Sequence, residues 1–245
     1  MKKKAEFDEQ TNEKNSNYLK NIVNEPNILP NYSLGMNIGL DAFPFMASFL
    51  PPTYYFTLFI IYFLEGRMSG YIPTISETGT EEPNNSFMIC FFCSIAASIF
   101  YLMSSITFYI TSFYQPNLFE RFLLKSITFV SSISYIFISI FPMNTHPSQH
   151  FSSVFSAFFG IILFQIIVLI ITRHDYSTFL SILRGIFIVL QIAPLILCAV
   201  SSKFFNHRIN VTIQAISEYS IVVFLPFFFM SYSNDLSNLE LILSF

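Results

Sequence analysis

Six stretches of almost unbroken apolar residues divide the chain, at about 43–64, 87–112, 122–142, 150–172, 178–200 and 212–233. Each is near the ~20 residues a helix needs to cross a bilayer core. The runs are continuous rather than alternating, which excludes a barrel with its two-residue period and predicts six membrane helices. Pro51 and Pro52 fall in the first run, Pro194 in the fifth and Pro226 in the sixth. Membrane helices tolerate such kinks when neighbours satisfy the freed carbonyls. Most connections are short. The exception is the stretch 65–86, polar, acidic and turn-rich, whose centre reads I-P-T-I-S-E-T-G-T-E-E-P from Ile72 to Pro83.

Residues 1–40 are polar, with Lys2, Lys3, Lys4, Lys14 and Lys20 scattered among acids and amides. A cleavable signal peptide needs its apolar core nearer the start. The expectation is therefore a cytosolic tail, a signal-anchor first span, and a six-helix membrane domain over 41–240.

Composition agrees with this pattern. The 245 residues are 53% hydrophobic and 11% charged, against about a quarter charged in an average soluble domain. So few charges cannot cover a soluble surface, so the apolar surplus must face the lipid bilayer. The net charge of −3 and the lack of a dense basic patch argue against nucleic acid as a partner. With the N-terminus inside, the cytosolic face collects the five tail lysines plus Arg121, Lys125, Arg173 and Arg184, leaving Arg67, Lys203 and Arg208 outside. Nine against three of the twelve basic residues predicts N-in, C-in and a lumenal loop at 65–86.

Few residues offer chemistry. Glu218 is the one acid well inside a span, about 9 Å from Thr212 at 1.5 Å per residue. Gln214, Ser217 and Glu218 share one helical face. A carboxylate at that depth must find a partner, stay protonated or face the bundle interior. It is either a clasp to another helix, with Arg184, Gln191 or His150 as partner, or a functional contact to a proton or a lipid headgroup. His146, His150, Glu77, Glu81 and Glu82 share the lumenal side, but nothing in their spacing makes them converge as metal ligands need. Cys90, Cys93 and Cys198 read as packing thiols on buried helix faces. Asp235 reads as a polar residue ending the sixth span in the headgroup zone. Asn84 and Asn210 open glycosylation sequons beside membrane boundaries. Ser94/Ser98, Ser153/Ala157 and Ser156/Gly160 are small-residue pairs that let helices approach. No catalytic motif, cofactor loop or metal signature stands out, so the protein is expected to be non-enzymatic.

Pro73, Ile75, Ser76, Glu77, Thr78, Gly79, Thr80 and Pro83 resemble the P-Y-I-S-D-T-G-T-x-x-P signature of the DRAM/FRAG family. That family includes the DNA-damage-regulated autophagy modulators and, more distantly, post-attachment factors for GPI-anchored proteins. In the family the signature lies in the first lumenal loop, before the second span. Ser217-Glu218-Tyr219 with the Phe-rich run and Asp235 is similar to the family's last span, and His150 resembles a family histidine opening the fourth, across a one-residue gap. Thr74 stands where the family has an aromatic, Glu77 for Asp and Tyr219 for Trp.

Physically, two prolines restrain the loop, Gly79 permits positive φ, and Ser76, Glu77 and Thr78 can bond nearby amides, Glu77 alternatively pairing with Arg67. Such a loop is either a structured cap or a contact surface for lipid headgroups or other membrane proteins. The resemblance implies a regulator of autophagy or lysosomal membranes. Its alternatives are lipid remodelling of GPI-anchored proteins or a small transporter, in an endomembrane (lysosome or Golgi/ER) or the plasma membrane.

Overall fold

A computed structural model describes residues 35–39, 42–68, 71–173, 178–204, 207–237 and 240–244. It contains helices α1 (Ala42–Leu64), α2 (Ile75–Thr78), α3 (Asn84–Phe113), α4 (Leu118–Ile140), α5 (Pro147–Thr172), α6 (Thr178–Phe204), α7 (His207–Met230) and α8 (Ser233–Leu236). All but α2 and α8 are long and apolar enough to cross a membrane. Strands β1 (Gly35–Gly39) and β2 (Glu240–Ser244) pair in a two-stranded sheet. Two compact units result, a small one of residues 1–37 and 241–245, and a bundle of residues 38–240. The polar tail lies outside the described residues up to position 34; β1 occupies its end.

Within the bundle α4 packs on both α3 and α5, and α7 packs on α6 and α1, while α1 also meets α3. The α5–α6 contact is thin. The core is aliphatic and aromatic, with Leu58, Leu102, Met103, Ile106, Leu124, Phe164 and Phe228 fully buried. Phe49, Phe56, Phe119, Phe122, Phe155 and Phe179 stand exposed on the outside. Such an apolar exterior fits lipid and not water.

Many of the hydroxyls in these spans are satisfied inside their own helix. Ser94, Ser98, Ser105, Thr107, Thr128, Ser132, Ser153 and Thr172 each donate to the carbonyl four residues earlier, at 2.8–3.0 Å. Between helices the polar ties among the described residues are few. Ser48, on proline-interrupted α1, donates both to its own Pro44 carbonyl and to Pro226 O of α7 at 3.3 Å. Gln165 and Gln191 exchange amide hydrogen bonds at 3.1 and 3.2 Å across α5 and α6. An amide left alone there would cost about 1–3 kcal/mol, and the exchange satisfies both.

The small-residue pairs divide. Ser153 and Ala157 are buried, whereas Ser94 is exposed. Gly160 lies against α4, where a Cβ would come within 2.2 Å of the buried Ser131 Oγ. A Gly160→Leu protein is therefore expected to lose about 1–3 kcal/mol through overpacking, read as a lower unfolding midpoint in mixed micelles. Cys90 and Cys93 correct the expectation of buried thiols: both are free and exposed on the outer face of α3. Their three-residue spacing puts them on one face, and that face is the lipid side.

A polar interlock between loop and bundle

The loop signature folds inward. Pro73, Thr74, Ile75, Ser76, Thr78 and Gly79 are buried, while Glu81, Glu82 and Pro83 are exposed. Residues Thr74-Ile-Ser-Glu77 form a capping box. Thr74 Oγ1 accepts from the Glu77 amide at 3.0 Å, and Glu77 Oε2 accepts from the Thr74 amide at 2.8 Å. The Thr78 and Thr80 hydroxyls then donate to Ile75 O and Glu77 O. Glu77 is thus a local turn former and Arg67 goes elsewhere, to Glu65 and Glu81 at 3.1 Å each and to the Glu82 carbonyl at 2.8 Å. These exposed pairs join the loop's two ends and are worth at most ~1 kcal/mol each.

Gly79 has φ −102°, so the positive φ expected from its glycine is not used. The reason for glycine is space: a Cβ would lie 1.7 Å from Met88 Sδ. Asn84, at the start of α3, is fully buried and donates to Thr78 O at 2.7 Å and Leu58 O at 3.3 Å. A buried amide spent on two helices is a poor glycan acceptor, and Asn84 serves as an anchor of α3.

Three residues far apart in sequence meet on the inner side of α2. Ser76, on the loop, gives its amide to Glu218 Oε2 of α7 at 3.3 Å. Its hydroxyl lies 2.9 Å from His150 Nε2 of α5. His150 Nδ1 is 2.8 Å from the Phe141 carbonyl. A carbonyl only accepts, so Nδ1 carries the proton, and in the neutral ring Nε2 accepts from Ser76 Oγ. One serine therefore ties α2 to both α5 and α7. Beneath it the Tyr55, Phe92, Tyr135 and Phe158 rings form a continuous aromatic floor, with centroids 5.5–6.0 Å apart.

The partner of Glu218 is a correction. Neither Arg184, Gln191 nor His150 holds it; the loop amide does. Gln214 is half-buried on α7 and joins no hydrogen bond with another described residue of this cluster. His146 is exposed at the start of α5. Ser76, Glu218, Tyr55, Phe92, Phe158 and Val222 line a cavity of about 30 Å³, room for a single water. Tyr55 and Val222 separate it from a lipid-facing groove of about 310 Å³ between α1 and α7, lined also by Phe56, Phe59 and Tyr219.

A second cluster closes the opposite end. Arg184 is fully buried near the start of α6. Its Nη2 donates to Asp235 Oδ2 and to Ser231 O, both at 2.7 Å, its Nε donates to Ser231 Oγ at 2.9 Å, and its guanidinium lies 3.6 Å over the Tyr232 ring. Burial pushes the Tyr232 hydroxyl well up, so it stays neutral beneath the cation. Asp235 was expected only to end the last span. It is the counterion of a buried arginine, on the short helix α8.

Six apolar helices with a polar interlock at each end define an integral membrane protein of the polytopic helical class. The chain belongs to the family described as Frag1/DRAM/Sfk1/Cwh43P N-terminal domain, whose model matches residues 40–239. No curated protein and no solved structure matches it.

Proposed function

We propose that the protein is a non-enzymatic, DRAM-like regulator of endomembranes serving autophagy and lysosomal membranes, with the N-terminus cytosolic and the capped loop lumenal. The observation that carries the non-enzymatic reading is how Ser76 is spent. A catalytic serine needs a base, an accessible substrate position and free donors for an oxyanion. Ser76 has the base in His150. The amides around it are committed: Ser76 to Glu218, Glu77 to Thr74 Oγ1 and Thr78 to Thr74 O. The adjoining cavity has room for one water and not for an acyl chain. Those features support a cap that locks the loop to the bundle.

The groove beside the cluster favours a second reading, participation in lipid remodelling of GPI-anchored proteins. At about 310 Å³ it reaches the size of ordinary ligand sites, and only Tyr55 and Val222 stand between it and Ser76.

A tagged chain, expressed in cells that lack it, separates the two. Lysosomal residence with normal surface GPI-anchored reporters is the result expected. Golgi or ER residence with defective reporters would overturn the regulator and support remodelling. A Ser76→Ala chain is expected to restore the cellular defect as well as wild type once its level is matched. Complete loss of rescue by a stable, correctly placed Ser76→Ala protein whose loop amides keep wild-type hydrogen-exchange protection would overturn the non-enzymatic reading.

A further inference from the structure

Lys125 sits seven residues into α4, about 10 Å along the axis from Leu118. The helix enters from the side opposite the loop, and Lys125 lies four residues, about 6 Å, beyond the charged Arg121, so its side chain reaches that headgroup layer. It is exposed on the bundle's outer face and makes no hydrogen bond or ion pair with another described residue. A cation in this place has two explanations. One is a lone lysine that snorkels to water. The other is a lysine placed for an anion.

The surroundings decide between them. Lys125 lines an outer groove of about 450 Å³ between α3 and α4. Four hydroxyls share that wall, Ser104, Thr107, Thr111 and Thr128. The Thr107 and Thr128 hydroxyls bond back to Met103 O and Leu124 O. Thr111 Oγ1 has no hydrogen-bond partner among the described residues, although it is shielded from solvent. Phe100, Phe108 and Phe129 form the remaining wall, all exposed to the lipid side. A snorkelling lysine needs no groove, no ring of hydroxyls and no aromatic walls.

We propose that this groove is a binding site for an anionic glycerophospholipid in the leaflet opposite the loop. The Lys125 ammonium would take the phosphate, Ser104 and Thr111 would offer hydroxyl donors, and the three phenylalanines would flank the acyl chains. Charge complementarity selects the occupant, because the groove carries one cation and no acid. Basic pockets between membrane helices are a recurrent form of lipid headgroup recognition. The proposal is independent of what the loop-side cluster does.

The full chain in nanodiscs of phosphatidylcholine doped with phosphatidylserine tests it, with retained lipid measured by native mass spectrometry after release. Phosphatidylserine should be enriched on the wild-type protein over its share of the disc. Lys125→Gln should reduce that enrichment about fivefold, the worth of one basic residue at an anionic surface. Lys125→Arg should preserve it, and Arg173→Gln, which removes a cation from the same side, should leave it unchanged. Equal retention of the two lipids, or equal loss in Lys125→Gln and Arg173→Gln, would overturn the site in favour of general surface attraction. Because Lys125 faces outward and is unpaired among the described residues, its variants should keep the wild-type unfolding midpoint. Enrichment lost only together with stability would also count against the site.

Discussion

An Asp235→Ala chain is expected to lose about 3–5 kcal/mol of stability, the largest effect of any single substitution outside the aliphatic core. Arg184 is wholly buried, while the Asp235 side chain keeps 17% of its surface. Removing Asp235 takes the anionic partner from a buried guanidinium that cannot lose its proton. Removing Arg184 leaves a carboxylate that can turn outward. Arg184→Met should therefore cost less than Asp235→Ala, although both break one ion pair. The doubly substituted Arg184→Met/Asp235→Leu chain, with neither charge, should regain most of the loss. Unfolding in mixed micelles of the four proteins measures this. Equal losses in the two single variants would show that the pair contributes only its mutual attraction and that burial of the cation is immaterial.

That cluster also shows where sequence reasoning stops. The six helices were legible because lipid imposes one continuous apolar signal of fixed length, and only helices can satisfy a backbone there. The loop's importance was legible from its polarity and its family signature. Its internal geometry was legible too: Thr74-Ile75-Ser76-Glu77 and Asn117-Leu118-Phe119-Glu120 both have capping-box spacing, and both boxes form. Neither was read from the sequence, since Thr74 counted as a departure from the family aromatic. Pairings across the bundle were not legible. Arg184 and Glu218 are the two conspicuous charges of the last two spans, and Coulomb reasoning alone would join them. The fold sends them to opposite ends, one to Asp235 and the other to a backbone amide 142 residues away. A backbone donor leaves no trace in side-chain pattern, so the Glu218–Ser76 contact could come only from structure. The outward-facing Cys90 and Cys93 fail for a related reason. An apolar helix in lipid has no polar face to reveal which side is out.

The loop interlock should respond to substitution in a graded way that separates its three members. His150→Ala removes the ring that accepts from Ser76 Oγ and donates to Phe141 O, taking one partner from each and leaving a void. The cost should be about 3 kcal/mol. Ser76→Ala deletes one donor but keeps the amide on Glu218 and the apolar packing, for about 1 kcal/mol. Glu218→Gln keeps an oxygen for the Ser76 amide and should be nearly silent, whereas Glu218→Ala orphans that amide at about 1–3 kcal/mol. Because α2 is a single turn held by its neighbours, these losses should appear first as opening of the loop. Hydrogen exchange of the Thr74–Gly79 amides reads that opening directly. In His150→Ala their protection should fall roughly a hundredfold, since 1.4 kcal/mol is a factor of ten, while the α4 and α5 cores exchange as in wild type. If protection falls equally along the loop and the helices, His150 stabilises the bundle as a whole and the loop is not a separately held cap. If Glu218→Gln opens the loop as far as Glu218→Ala, the charge of Glu218, and not its accepting oxygen, holds Ser76 in place.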